Sequence, residues 1–340
     1  MDEGAPFVQA LGAVRPDTAE ERTLLITGAS SFTGHALSLA AAHSGWRVIA
    51  PLTGPRQSYT GVRAARVARL EVEPHIVLLT EARVGSSGLC EAIRATMRSP
   101  DSGGRIDAVA LHHAVVGDFR SPDYDVGYAV SDATRGARDL VALAAAYGAR
   151  GVVITRSVFE SGQGCTNDPR PITLYAIAKT ASSQVWSEEA RLAGLAIQHF
   201  TITNPVGPFE EPRFIAYLAR CWQRRETPVL QSPQYIRDNV AIPVLAEAHL
   251  AAVAAASLGQ GGHRTPSMWV GSNLDFAQRT AREFGQRWSL RCPVDAAQVP
   301  VADEPQIRVG IDPVGFIDGA AESRFWDDFA AFYRPNGLFE

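Results

Sequence analysis

The sequence predicts an α/β fold: a mostly parallel sheet covered by helices on both faces, with a smaller, mostly C-terminal part after it. Three observations carry this expectation. Short apolar runs that read as buried strands alternate with longer Ala-rich stretches that read as helices. The first run, "TLLITG", ends in a glycine turn that opens a helix. From Asn204 onward proline and glycine become dense and the alternation stops.

The elements follow in order. "TLLITG" is a buried strand, "GHALSLAAAHSG" a helix and "WRVIA" the next strand, which together make one βαβ unit. "HIVLL" precedes "GLCEAIRATM", "IDAVALHHA" precedes "TRGARDLVALAAAYG", and "GVVIT" precedes "YAIAKTASSQVWSEEARLAG", which leads into "AIQHFTI". Alternating strands and helices imply a mostly parallel sheet covered on both faces. Residues 1–21 are polar, carry Pro6 and Pro16, lack periodicity and read as an extension before the domain.

Bulk properties exclude several function classes. A net charge of −4 leaves no electrostatic footprint for nucleic acid. No apolar run approaches the ~18–20 residues of a membrane span. The start has acids where a secretory signal has a basic segment. Cys90, Cys165, Cys221 and Cys292 are far apart, without a CxxC, which suggests reduced thiols in a cytoplasmic protein. No His, Cys and carboxylate cluster has metal-ligand spacing, so no catalytic metal is expected.

The first turn reads "TGASSFTG". Gly28 suits a tight turn and Gly34 close helix–strand packing, while Ser31 stands where a middle glycine is usual. With Ser30, Phe32 and Thr33, these residues would bring backbone amides and a helix N-terminus to a pyrophosphate. An NAD site usually ends its second strand in an acid that holds the ribose 2′-hydroxyl. Here no acid lies between Glu21 and Glu71; Leu52 stands near the acid's place and Arg56 follows. A missing carboxylate beside a guanidinium suits a 2′-phosphate, so NADP (NADPH) is the expected cofactor.

"YAIAK" places Tyr175 and Lys179 four residues apart, on one face of a helix. Lys179 is the chain's only lysine, against 31 arginines. A compact ammonium does what a planar guanidinium cannot. His112 and His113 end the fourth strand, and such a pair reads as packing before catalysis.

With "TGASSFTG", "YAIAK", "TNPVGP" and "YIRDNVAIPVLAEAHLAA" in this order, the chain resembles the extended branch of the short-chain dehydrogenase/reductase superfamily. That branch includes sugar-nucleotide epimerases, dehydratases and 4-ketoreductases. The resemblance spans roughly residues 22–285. It implies a Rossmann-type doubly wound sheet and a homodimer built through two helices per subunit. It makes Tyr175 the catalytic acid/base, with Lys179 holding the nicotinamide ribose and lowering the tyrosine pKa. Aligning "SVF" with the branch's Val-Tyr offers Thr155 as the hydroxyl donor, with Ser157 as the alternative. Asn204 matches an asparagine that faces substrate, and Arg237 an arginine that contacts the nucleotide diphosphate. Two features depart from the branch. Its asparagine in the helix before "DLVALAAAYG" is not evident, with Ser131 or Asp132 near its place. Arg156 and Ser157 follow Thr155 where dehydratases carry Asp-Glu, which argues against 4,6-dehydration.

The resemblance divides the chain into the extension 1–21, a cofactor domain 22–204 to which 238–272 returns, and a substrate domain of 205–237 and 273–340. It implies NADPH-dependent reduction of a nucleotide-linked keto sugar, such as a 4-keto-6-deoxy sugar. The alternatives are an epimerase that retains its cofactor, a reductase of a small non-sugar ketone, and a dinucleotide-sensing protein without chemistry.

Overall fold

The computed structural model describes residues 22–100, 103–165, 169–298 and 307–334. The expected extension 1–21 lies outside them. The first half runs β1 (Arg22–Ile26), α1 (Phe32–His43), β2 (Trp46–Pro51), α2 (Gly61–Glu71), β3 (Ile76–Leu79), α3 (Ser87–Met97), β4 (Ala108–Leu111), α4 (Val126–Thr134), α5 (Ala137–Ala146), β5 (Gly151–Ser157), α6 (Leu174–Leu192) and β6 (Ala196–Ile202). The second half runs β7 (Asn204–Val206), α7 (Phe214–Gln223), β8 (Val229–Leu230), β9 (Ile236–Ala241), α8 (Ile242–Ser257), β10 (Gly262–Arg264), β11 (Pro266–Ser267), β12 (Trp269–Ser272), α9 (Asn273–Trp288), β13 (Asp295–Ala296), β14 (Asp312–Pro313) and α10 (Gly319–Phe332).

Seven strands form one parallel sheet in the order β10-β6-β5-β4-β1-β2-β3. The chain winds outward in one direction through β2 and β3, then restarts at β4 on the other side of β1. This reversal opens a crevice beyond the carboxyl ends of β1 and β4, where a doubly wound sheet binds ligands. Alternation along β1 builds both faces. Leu24 and Ile26 enter a core shared with Leu37 of α1 and Val253 of α8; Leu25 enters the opposite core with Ile93, Leu140 and Trp186. Alanines at 40–42 let α1 lie close to both the sheet and its neighbour α8.

Helices α2 and α4 stand outside the strand–helix pairs read from the sequence. In α2, Val67 and Leu70 make a narrow apolar stripe among arginines. In α4, the Asp125 side chain accepts from the Tyr128 amide, so the N-cap signal was present without a strong periodic one.

Of the segment 238–272, α8 and β10 pack on or join the large sheet. β9 and β12 do not: with β7 they form a separate three-stranded sheet in the order β12-β9-β7. That sheet, α7, α9 and α10 surround a third core rich in aromatics, including Trp222, Phe284, Trp326 and Phe329. Arg66 joins the halves. Its fully buried guanidinium donates twice to the Phe209 carbonyl, at 2.8 and 2.6 Å, and once to Glu211 at 2.7 Å.

Candidate active site

The glycine turn lies at the mouth of the crevice. Gly28 has φ +76°, and a Cβ there would stand 3.0 Å from the His113 backbone at the end of β4. A Cβ on Gly34 would fall 2.2 Å from the Gly28 carbonyl oxygen, so only glycine lets the helix start this close to the turn. Ser31 is the N-cap of α1: its hydroxyl donates to the Gly28 carbonyl at 2.9 Å and accepts from the Gly34 amide at 3.0 Å. No acid occupies the first turn of α1 to compete with an anion for the helix N-terminus. The cradle therefore fits a dinucleotide pyrophosphate, with Gly28, Ser30 and Ser31 at the turn. Phe32 faces the other way, into the large cavity described below. Thr33 turns its hydroxyl inward to His112 Nε2, 2.7 Å away.

Arg56 stands beyond β2 in a short 3-10 turn, exposed, and pairs with Glu71 at the end of α2. The β2 end carries Pro51 and a buried Leu52, so no carboxylate stands there.

Helix α6 brings Tyr175, Lys179 and Ser183 onto one face, at i, i+4 and i+8. Its N-cap is Thr173, whose side chain accepts from the Ala176 amide at 3.2 Å. Burial pushes the Tyr175 phenol well above its ordinary value; Glu160 and Tyr124 push the same way, and only Arg213 opposes them. The chain's own groups thus hold Tyr175 protonated. The Lys179 ammonium donates to the Thr155 carbonyl at 2.7 Å. Burial lowers the Lys179 pKa, with Glu160 opposing that shift.

Glu160 is a residue the motifs did not reveal. Fully buried, its carboxylate accepts from the Ser157 amide at 2.8 Å, from Arg156 Nε at 2.9 Å and from the Ser183 hydroxyl at 3.3 Å. It ties the end of β5 to the Tyr175 face of α6. Arg308, another such residue, reaches back from the C-terminal segment. Its Nη1 donates to the carbonyls of Val158, Glu160 and Gln163, and its Nη2 to that of Arg170. Its burial hid it from a reading that takes isolated arginines as solvated.

Thr155 and Ser157 project from the same side of β5, two residues apart. Ser157 lies in the wall of the large cavity and accepts from the Phe159 amide at 3.2 Å. Thr155 sits deeper, 5% exposed, with its hydroxyl 2.9 Å from His112 Nδ1. The two strand-end histidines differ in surroundings. His113 Nε2 donates to the Ala133 carbonyl at 2.9 Å, its Nδ1 takes the Thr27 hydroxyl at 2.9 Å, and its ring meets the edge of Trp186. That is packing, as read. His112 instead lies between two hydroxyls, those of Thr33 and Thr155.

A cavity of about 1000 Å³ opens above this floor and gathers Ser157, Tyr175, Asn204 and Arg237 from four elements. Asn204 Nδ2 donates to Asn239 Oδ1 at 2.6 Å, directly across the β7–β9 pair. The Arg237 guanidinium lies 3.8 Å over the Tyr235 ring and 5.6 Å from that of Phe159. Two wall residues, Phe119 and Arg213, escaped sequence reasoning. Phe119 and, behind the wall, Tyr124, both on the loop after β4, set their rings edge-on to Tyr175, each at 6.1 Å. Arg213, the residue before α7, sits 5.1 Å over Phe119. Pro212-Arg213-Phe214 before an amphipathic helix was the available signal. Among the described residues no group of three or more His, Cys, Asp or Glu is placed to hold a metal ion.

The profile of the NAD dependent epimerase/dehydratase family matches residues 24–265, well over half of the chain. The chain belongs to that family. It is an NAD(P)-dependent enzyme of the extended short-chain dehydrogenase/reductase type. No curated protein matches it at the sequence level.

Among solved structures, epimerases of this family share the fold. The UDP-glucose 4-epimerase of Thermotoga maritima, solved with UDP-glucose, is 16% identical, with a TM-score of 0.66 over 92% of this chain and 98% of that one. The UDP-glucuronic acid 4-epimerase of Bacillus cereus, solved with UDP-glucuronic acid and NAD, is 14% identical, with a TM-score of 0.65 over the same shares. The UDP-N-acetylglucosamine 4-epimerase of Methanobrevibacter ruminantium is 12% identical, with a TM-score of 0.63 over 93% and 99%.

Proposed function

We propose that the protein exchanges alcohol and ketone on the sugar of a nucleoside diphosphate sugar, as a 4-epimerase that retains its nicotinamide cofactor. The observation that carries this reading is the single cavity that joins Tyr175 and Ser157 to Asn204 and Arg237. It has room for a nucleotide sugar, and Arg237 in its wall is a residue type suited to a diphosphate. The three solved structures described above are 4-epimerases holding UDP sugars, which favours epimerisation over the net reduction expected from the motifs.

The turn at Gly28, Ser30, Ser31 and Gly34 holds the pyrophosphate, and Lys179 the nicotinamide ribose. When bound, the nicotinamide supplies hydride acceptance and return. Tyr175 moves the proton at the sugar oxygen, as acid toward a ketone and as base toward an alcohol. The base role needs a phenol brought down from its raised value, and positive charge close to the ring is the means. Thr155 polarises the same oxygen from beside Lys179, with Ser157 in the cavity wall. Asn204, fixed by Asn239, orients the sugar.

A second reading, NADPH-dependent reduction of a keto sugar, is favoured by one observation: the end of β2 carries no carboxylate. A homodimer through α4 and α6 is part of the proposal. Tyr128, Ile177 and Leu192 are exposed apolar groups on those helices. The proposal also places the protein in the cytoplasm; no described helix is long and apolar enough to cross a membrane.

The test is thermal shift with nucleoside diphosphates and their sugars, with NAD(H) and NADP(H), together with analysis of any dinucleotide released on denaturation. Retained dinucleotide and stabilisation by a nucleotide sugar support the epimerase. An empty protein that binds only NADPH and a keto sugar supports the reductase. Stabilisation by small ketones and by no nucleoside diphosphate overturns both.

A further inference from the structure

His112 has no part in the chemistry above, yet its two ring nitrogens are its only polar side-chain atoms and both meet hydroxyls. Nε2 is 2.7 Å from the Thr33 hydroxyl, and Nδ1 is 2.9 Å from that of Thr155. The ring is buried, and its backbone amide is held by the Thr27 hydroxyl at 2.9 Å. Thr33 belongs to the first turn of α1, beside the glycine turn, and Thr155 to the end of β5. A single imidazole thus spans the strand between the two and ties the cofactor turn to the catalytic strand.

Hydrogen bookkeeping decides what this contact does. A neutral imidazole donates once and accepts once. Burial, with Lys179, His113 and His249 nearby, lowers the His112 pKa well below its ordinary value, so the ring is neutral. If Nε2 carried the hydrogen, Nδ1 would take the Thr155 hydroxyl hydrogen and leave that oxygen only lone pairs for a substrate. If Nδ1 carries it, the Thr33 hydroxyl donates to Nε2, Nδ1–H donates to Thr155, and the Thr155 hydrogen is free.

We propose that His112 is a positioning residue which, in its Nδ1–H tautomer, holds the Thr155 hydroxyl as a hydrogen-bond donor to the substrate oxygen and couples it to the cofactor turn through Thr33. The inference rests on the proposed alcohol–ketone chemistry, with Thr155 as the polarising hydroxyl. A Thr155 that only donated to imidazole could not polarise a ketone.

The experiment has two arms. In the first, ¹⁵N NMR of the histidine side chains is recorded on the full chain without substrate, with His112→Asn used to assign the ring. The expected result is one neutral tautomer protonated at Nδ1, unchanged from pH 5.5 to 9; Thr155→Val shifts the Nδ1 resonance, and Thr33→Val moves the hydrogen toward Nε2. A ring protonated at Nε2 in the parent, or a titrating imidazolium, overturns the proposal. In the second arm turnover is measured. His112→Phe and Thr155→Val each lower kcat, by up to the roughly 100-fold that loss of one preorganised donor costs, with KM little changed. The double variant is no worse than the weaker single one. His112→Asn, which restores a donor near the Nδ1 position, recovers part of kcat. Full kcat in Thr155→Val, or additive losses in the double variant, overturns the proposal. A parent with no nucleotide-sugar turnover refutes the functional reading instead, and the NMR arm then decides the tautomer on its own.

Discussion

The two halves of the molecule bury different polar chemistry. The sheet half buries neutral imidazoles: His35, His112, His113 and His249 all lie inside, and burial lowers each pKa, to about 3 for His35 and His249 and about 4 for His113. The sheet half also buries an acid, Glu160, but pairs it with Arg156 at 2.9 Å. The C-terminal half buries an acid that faces a phenol instead. Glu210 accepts from the Tyr333 hydroxyl at 2.9 Å, and desolvation raises its pKa to about 8. Groups at the strand ends are held in hydrogen-bond chains, as Thr33–His112–Thr155 and Thr27–His113–Ala133 show. The cavity wall is looser in kind, with Arg213 and Arg237 laid over Phe119 and Tyr235. The difference separates tasks. On the proposed function, the sheet half supplies fixed hydrogen-bond geometry for chemistry, and the other half supplies cationic, aromatic surface for holding a ligand.

If that separation holds, substitutions on the two sides fail differently. The largest effect is expected at Tyr175. Tyr175→Phe keeps the ring among Phe119 and Tyr124 but removes the proton, and should cost about 10²–10⁴-fold in kcat, with circular dichroism and cofactor binding unchanged. Lys179→Arg should fold, since arginine is helix-compatible. It should still lose most of kcat, because the fork cannot reproduce a buried ammonium on the Thr155 carbonyl. The Tyr175→Phe/Lys179→Arg double variant should be little worse than either single one, as for groups acting as a unit. Near-parental turnover in Lys179→Arg would place the lysine there by accident.

On the cavity side the failure should be one of affinity. Arg237→Ala removes a charge-assisted contact worth roughly 1.5–3 kcal/mol, so calorimetry should show a nucleotide sugar bound about 10–100-fold more weakly and the dinucleotide bound as before. Equal weakening of both ligands would break the division of labour.

Stability should respond to pH with opposite signs in the two halves. For the histidines the folded pKa lies below the unfolded one of about 6.5, so the unfolded chain binds more protons in between. Their contribution is in place above about pH 6.5 and is lost as pH falls through about 4. For Glu210 the folded value of about 8 lies above the unfolded one of about 4.5, so stability falls as pH rises between them. Calorimetric scans should therefore show melting temperature declining on both sides of a near-neutral maximum. Glu210→Gln should flatten the alkaline limb and, because Glu210 opposes the histidines between about pH 4.5 and 6.5, steepen the acid limb. An alkaline limb unchanged by that substitution would remove Glu210 as its cause.

The smallest effect is expected at Arg56. It is exposed and already paired with Glu71, so Arg56→Ala should weaken NADPH by about 10-fold or less and leave NADH unchanged. A parent that prefers NADH would remove the role altogether.

How much of this was legible in the sequence follows the same division. Short, mostly apolar strands alternating with Ala-rich helices, and a glycine turn at the first crossover, specify the sheet half, because local pattern and tertiary environment agree there. Tyr175 and Lys179 were legible because both lie on one helix at one spacing. β9 and β12 were harder to place, because two short strands on either side of a helix give no periodic signal of which sheet they join. His112 and Glu160 were hidden for another reason. Their roles come from contacts across 43 and 79 residues, and across 23 residues to α6, and no local window separates His112 from its packing neighbour His113.

Proton NMR of the protein mixed with nucleoside diphosphate hexoses, without added NADH or NADPH, tests the central claim most directly. The account predicts that the anomeric signal of the C4 epimer grows in with the parent protein and is absent with Tyr175→Phe, which still binds the sugar. Epimer formation that persists in Tyr175→Phe, or no hexose converted or bound by a protein that still holds its dinucleotide, would contradict it.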